Sequence, residues 1–416
     1  MQGLTNNYES KRITTVCSLF LISAVVIFAT PLSSSSGIVM LFCLCAVFVS
    51  CEKTLYQKDM LSILIGFCAF ALYLGTTSNA FQTVYAKNAL VLFCTMTVVT
   101  LAFPRGWNIK EMVVKEFSFF DVIYFALYIW CVFELLQFAM SNLSNWTGRY
   151  NAENATFSLG LHHVDFALIT ALVTAIGIKR GYYLSANLLA IVAWIILPAR
   201  TFKLFYVLFL FGTFFRKWIY KIWRFGGKTR RWMLLLIMGS FAFSWFWIFI
   251  LNANAQVMDT HTGLNDTSNY ERFQTILYAG EVIVKEKLLF CGIDTTLAYD
   301  SIVQSGVGYV YNGPHNSYVS ILLYYSVFFG GAFLLWLSNL IDRVVSEESI
   351  PLIFSYLLTC CILHDMLTGI RLFLFLVVLL IPRRESKSSF MLINKVKRIC
   401  KVGKQVEVES IKKRET

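Results

Sequence analysis

Twelve apolar runs follow one another along this chain, most of them separated by short polar stretches. They fall at about 13–30, 36–50, 60–76, 88–103, 118–140, 160–178, 183–198, 201–215, 232–251, 315–338, 351–364 and 367–382. A helix needs ~20 apolar residues to cross a hydrocarbon core of ~30 Å, so twelve would need ~240. The chain has 416 residues, 57% of them hydrophobic, which is close to that requirement. Only 14% are charged, against ~25% in a soluble domain. A disordered chain has few large apolar residues, so that class is excluded too. The pattern predicts an all-α polytopic membrane protein of about twelve transmembrane helices.

Two long runs need a break. As a single helix, residues 183–215 would be ~50 Å long, too long for one crossing. Pro198, Arg200 and Lys203 interrupt that run, and His364, Asp365 and Arg371 interrupt 351–382. Each is read as two short helices meeting at a polar turn. Positive charge agrees, because cytoplasmic loops collect Lys and Arg. The chain holds 36 Lys and Arg against 24 Asp and Glu, a net charge of +12. Twelve spans with both termini cytoplasmic put all but eight basic residues on that side. The exceptions are Lys87, Arg149, Arg200, Lys203, Arg272, Lys285, Lys287 and Arg371. The charge therefore reports orientation, and no nucleic-acid partner is expected.

Residues 1–382 read as the transmembrane domain, and 383–416 as a basic cytoplasmic tail. The apolar run after Lys11-Arg12 exceeds a signal-peptide core and is read as an uncleaved first span. On the outer side, the long loop 252–314 contains an amphipathic helix from Glu271 to Lys287. Phe273, Ile276, Leu277, Ile283 and Val284 share its apolar face. It lies either on the membrane surface or over the bundle mouth. Most cysteines lie in apolar runs, and no disulfide framework is visible.

A charge at membrane depth is costly and needs a reason. Arg200 and Lys203 share one helix face; they either clamp a phosphate or snorkel to water. Arg272 opens the amphipathic helix, where a cation opposes the helix dipole. Its alternative is a solvated pair with Glu271. Pro314-His315-Asn316-Ser317 precedes an apolar helix that Asn316 or Ser317 can cap. His315 near that positive helix end favours the neutral imidazole, as a general base requires. The alternative is an interfacial His that ends a loop. Asp365 and Arg371 either serve a site or pair across their turn. His162-His163 reads as interfacial rather than metal-binding, since adjacent residues diverge on a helix.

Together these groups resemble the O-antigen ligase and polymerase superfamily of bacterial envelopes, roughly from Gly148 to Ile381. Ala199-Arg200-Thr201 is similar to its Ser/Thr-Arg helix start. Glu271-Arg272-Phe273, with Leu289-Phe290-Cys291-Gly292 downstream, is similar to its Arg-helix-Pro-Leu-x-Gly segment. Pro314-His315-Asn316-Ser317-Tyr318 resembles its His-Asn motif, and Asp365 to Arg371 the last hairpin turn of the ligases. Cys291-Gly292-Ile293-Asp294 departs from Gly-x-Gly, and Val327 to Gly331 departs from Leu-Gly-x-x-Gly.

The resemblance implies a GT-C-like membrane glycosyltransferase in the bacterial inner membrane, with its site facing the periplasm. Its donor would be an undecaprenyl-pyrophosphate-linked glycan. Its acceptor would be a lipid A-core hydroxyl, or a second lipid-linked repeat in a polymerase. His315 would be the base, and Arg200 and Arg272 the pyrophosphate clamp. Arg371, Asp365, Lys203 and Asn316 would contact substrate. No metal or other cofactor is needed where arginines supply the charge. A transporter or flippase is the reading from a different class. It predicts ionisable groups and broken helices at mid-membrane.

Overall fold

The computed structural model describes residues 57–77, 84–102, 113–114, 119–142, 163–197, 200–253, 267–293, 314–363, 366–381 and 383–384. The expected spans at 13–30 and 36–50, most of the long loop, and the tail beyond 384 lie outside them. The described chain is helical apart from one two-residue parallel pairing. In order run α1 (Gln57–Thr76), α2 (Val84–Ala102), β1 (Val113–Val114), α3 (Phe119–Asn142) and α4 (His163–Lys179). Then come α5 (Tyr183–Ile196), α6 (Arg200–Phe214), α7 (Arg216–Phe225), α8 (Thr229–Ala253) and α9 (Thr267–Lys285). The last are α10 (Ser317–Tyr324), α11 (Val327–Val344), α12 (Ile350–Cys360), α13 (Gly369–Leu380) and β2 (Arg383–Arg384), which pairs with β1.

Among the described residues, four helices are long and apolar enough to cross a membrane: Gln57–Thr76, Phe120–Met140, Thr229–Ile250 and Val327–Val344. Their outward faces carry large apolar side chains, among them Phe67, Ile129, Phe133, Met238, Trp245 and Phe249. Water does not tolerate such continuous apolar surface, whereas lipid does. This is a helical membrane protein.

Both expected hairpins form. Helices α5 and α6 are separate elements flanking the Pro198 break. Phe211 lies beside Phe354, with ring centroids 6.2 Å apart, and a Cβ on Gly212 would meet the Pro351 Cα at 2.9 Å. Those two contacts run α6 antiparallel to α12. Tyr356 stacks on Phe375 at 3.7 Å, closing the α12–α13 hairpin.

The run read as one span at 315–338 is instead broken. Ser326 adopts a positive φ of 69°, which ends α10, and its hydroxyl accepts from Phe329 N at 3.2 Å to cap α11. Helix α10 then folds back along α11, because Gly330 lets the two backbones approach. A Cβ there would stand 2.7 Å from the Ile321 carbonyl oxygen.

One end of the bundle gathers basic groups. Arg180 and Asp121 form a bidentate pair at 3.0 and 2.6 Å, with both side chains fully buried. Lys179 donates to the Val378 and Leu379 carbonyls at the end of α13. Thr229 N donates to Asp342 at 2.8 Å, joining the start of α8 to the end of α11.

Candidate functional site

Helices α12 and α13 have 11 and 12 residues, or ~16–18 Å each, about half of a bilayer crossing. Their turn therefore stops part-way along the bundle. Cys361 fixes the level, since its sulfur meets the Ser240 hydroxyl on α8. Ser240 lies eleven residues beyond Thr229, or ~16 Å from the basic end. Irregular backbone at that depth survives only where protein or a water-filled cavity satisfies its polar groups.

The segment 316–318 satisfies them. A helix leaves its last carbonyls without intrahelical partners. The Tyr318 hydroxyl donates to the Leu357 carbonyl at 3.0 Å, and Asn316 Nδ2 to the Cys361 carbonyl at 3.2 Å. Ser317 Oγ donates to the Leu363 carbonyl at 2.5 Å and accepts from Met366 N at 3.0 Å. Asn316 also caps α10, its Oδ1 accepting from Tyr318 N and Val319 N at 3.0 and 3.1 Å. All three residues are buried, while the preceding His315 is half-buried. The motif thus divides into a bolt, Asn316-Ser317-Tyr318, and a His presented at its edge.

The same level collects other candidates. Arg371 follows the turn, and its Nε donates to Asp165 Oδ1 at 2.6 Å. Both side chains are partly exposed, at 18% and 23%. Asp165 belongs to the first turn of α4 and lies 206 residues from Arg371. The expected partner across the turn, Asp365, lies outside the described residues, as does His364.

Arg200 is the first residue of α6. Counting twelve residues back from Gly212 on α6 and twelve forward from Pro351 on α12, the antiparallel pair puts the Arg200 backbone level with Leu363, in the turn after α12. Arg272 is the sixth residue of α9 rather than its opening residue, because α9 begins at Thr267. Thr275, one turn on from it, lines a recess with Tyr278, Ala279, Val282, Leu323 and Pro314, the residue before His315. The side chains of Arg200 and Arg272 lie outside the described residues.

Among the described residues, three of the cations expected on the outer side have local partners. Lys203 Nζ lies 5.8 Å from the centre of the Trp194 ring, a cation–π contact that ties α6 to α5. Arg371 has Asp165. Lys285 pairs with Glu281 one turn earlier on α9, and that carboxylate holds its ammonium above the ordinary lysine range. Helix α9 packs against α8 and α10, over the bundle. Ile276, Ala279 and Val282 form its buried stripe, whereas Val284, expected on the apolar face, is 75% exposed.

Sequence reasoning missed Asp165 as the partner of Arg371. No local signal marks it beyond an acid in the first turn of an apolar helix. Among the described side chains, the junction combines an Arg371–Asp165 ion pair with the half-buried imidazole of His315, a group able to move a proton. Compared with protein-family models, curated proteins and solved structures, the chain matches none.

Proposed function

We propose that this chain is a membrane glycosyltransferase of the O-antigen ligase type. It transfers an undecaprenyl-pyrophosphate-linked glycan to a lipid A-core hydroxyl on the periplasmic side of the inner membrane. In this reading the chain has twelve spans, and the basic end of the bundle faces the cytoplasm. One observation carries the proposal. His315 and Arg371 are presented on a single bolted junction, with the start of α6 at its level and the recess under α9 beside it.

The chemistry follows from those groups. The acceptor hydroxyl oxygen bonds to the anomeric carbon as the bond from that carbon to the pyrophosphate oxygen breaks, with inversion. His315 takes the hydroxyl proton. Pyrophosphate leaves as a stable anion, so the protein supplies cations rather than a general acid. Arg200 and Arg272 clamp the pyrophosphate, and Arg371, held by Asp165, contacts phosphate or acceptor. Lys203, Asn316 and Asp365 support substrate indirectly, Asn316 through the bolt.

An O-antigen polymerase shares the Arg and His pattern and differs in its acceptor, a second lipid-linked repeat. The transporter reading gains support from the half-length helices α10, α12 and α13, since broken helices at mid-depth build transport sites.

Lipopolysaccharide electrophoresis of a deletion strain separates these readings. The ligase leaves bare core with accumulated lipid-linked polymer. The polymerase leaves core bearing a single repeat. An unchanged ladder rejects both enzymes.

A further inference from the structure

Helix α7 is a ten-residue helix with three distinct sides. Ile219 and Trp223, four apart, are buried against the bundle. Trp218 and Phe225 project from a second side, 59% and 94% exposed, and Phe214 just before the helix is 82% exposed. Arg216, Lys217, Lys221 and Arg224 occupy the third side. Arg216 has an acidic partner, Glu347 at 3.3 Å, and Arg224 lies over the Tyr220 ring at 5.8 Å.

The neighbouring turn adds charge of the same sign. Lys228 precedes α8, and Arg230 and Arg231 stand in its first turn, which has no acidic residue. Cations at a helix N-terminus oppose its dipole, so neither arginine stabilises the helix end. The Asp342 carboxylate, accepting from Thr229 N at 2.8 Å, already meets that helix end, and the two arginines add positive charge to the surface beside it.

From these faces we infer that α7 and the first turn of α8 dock on the anionic phospholipid headgroups of the surrounding bilayer. Trp218, Phe225 and Phe214 enter the boundary between headgroups and acyl chains. Lys217, Lys221 and Arg224 meet the lipid phosphates beside them. Exposed aromatics next to a basic face match a charged lipid surface, whereas water solvates the cations but not the aromatic rings. The surface lies at the basic end of the bundle, and the inference does not depend on the glycosyl-transfer reading.

The test uses the full chain in nanodiscs of phosphatidylcholine alone, or of phosphatidylcholine mixed with phosphatidylglycerol. Phosphatidylglycerol is expected to raise the thermal midpoint of the wild-type protein and to be retained on it in native mass spectrometry. The exposed triple variant K217Q/K221Q/R224Q is expected to retain that lipid about a hundred-fold more weakly. The charge-keeping variant K217R/K221R is expected to behave as wild type, separating lost charge from lost fold. Equal lipid retention by wild type and the triple variant overturns the inference. So does an equal rise in midpoint with inorganic phosphate in detergent, which assigns the site to a free anion.

Discussion

His315→Ala is expected to stop attachment of glycan in cells while the protein remains folded and abundant. A positioned general base contributes about 10²–10⁴-fold to rate, so the remaining polysaccharide should fall below a visible ladder. Asn316, Ser317 and Tyr318 all donate to carbonyls at the end of α12 and in the turn after it. Asn316→Ala provides the contrast. It removes an N-cap worth about 1 kcal/mol and orphans the Cys361 carbonyl at a further cost of about 1–3 kcal/mol. That variant is expected to melt earlier and to accumulate less, whereas His315→Ala keeps its melting point. A wild-type ladder from His315→Ala at wild-type abundance would remove the base from the mechanism.

The largest stability effect belongs to the other end of the bundle. Asp121→Ala leaves the Arg180 guanidinium buried without its carboxylate, and breaking such a pair costs about 3–5 kcal/mol. Thermal unfolding in detergent and yield from the membrane should both drop sharply. Replacing both partners together, Asp121→Leu with Arg180→Met, removes the stranded charge and is expected to recover most of the loss. Equal losses in the single and double variants would mean that the pair stabilises through something other than charge.

Helices whose apolar run matched their length were legible in the sequence. The α5–α6 and α12–α13 hairpins followed from runs too long for one crossing and interrupted by polar residues. The break at Ser326 was not legible. No Pro or charge marks it, and the fold-back depends on a contact between Gly330 and Ile321 that only three dimensions show. Helix α7 falls between the apolar runs 201–215 and 232–251, where Ile219 and Trp223 at helical spacing against four cations carry the only sign of it, an amphipathic pattern. In the site, the capping role of Asn316 was readable from its place before an apolar run. The Asp165–Arg371 pair was not, because sequence spacing carries no information about residues 206 apart. His315 stands before α10, which has only eight residues before the chain turns at Ser326, so the apolar run after it is two helices rather than one.

The most direct measurement uses purified full-length protein in vesicles, supplied with polyprenyl-pyrophosphate-linked glycan and lipid A-core, with a chelator present. The expected result is release of polyprenyl pyrophosphate matched by acceptor bearing the glycan with inverted anomeric configuration, and loss of both products in His315→Ala. Retention of configuration, or undiminished transfer by His315→Ala, would contradict a mechanism centred on this junction.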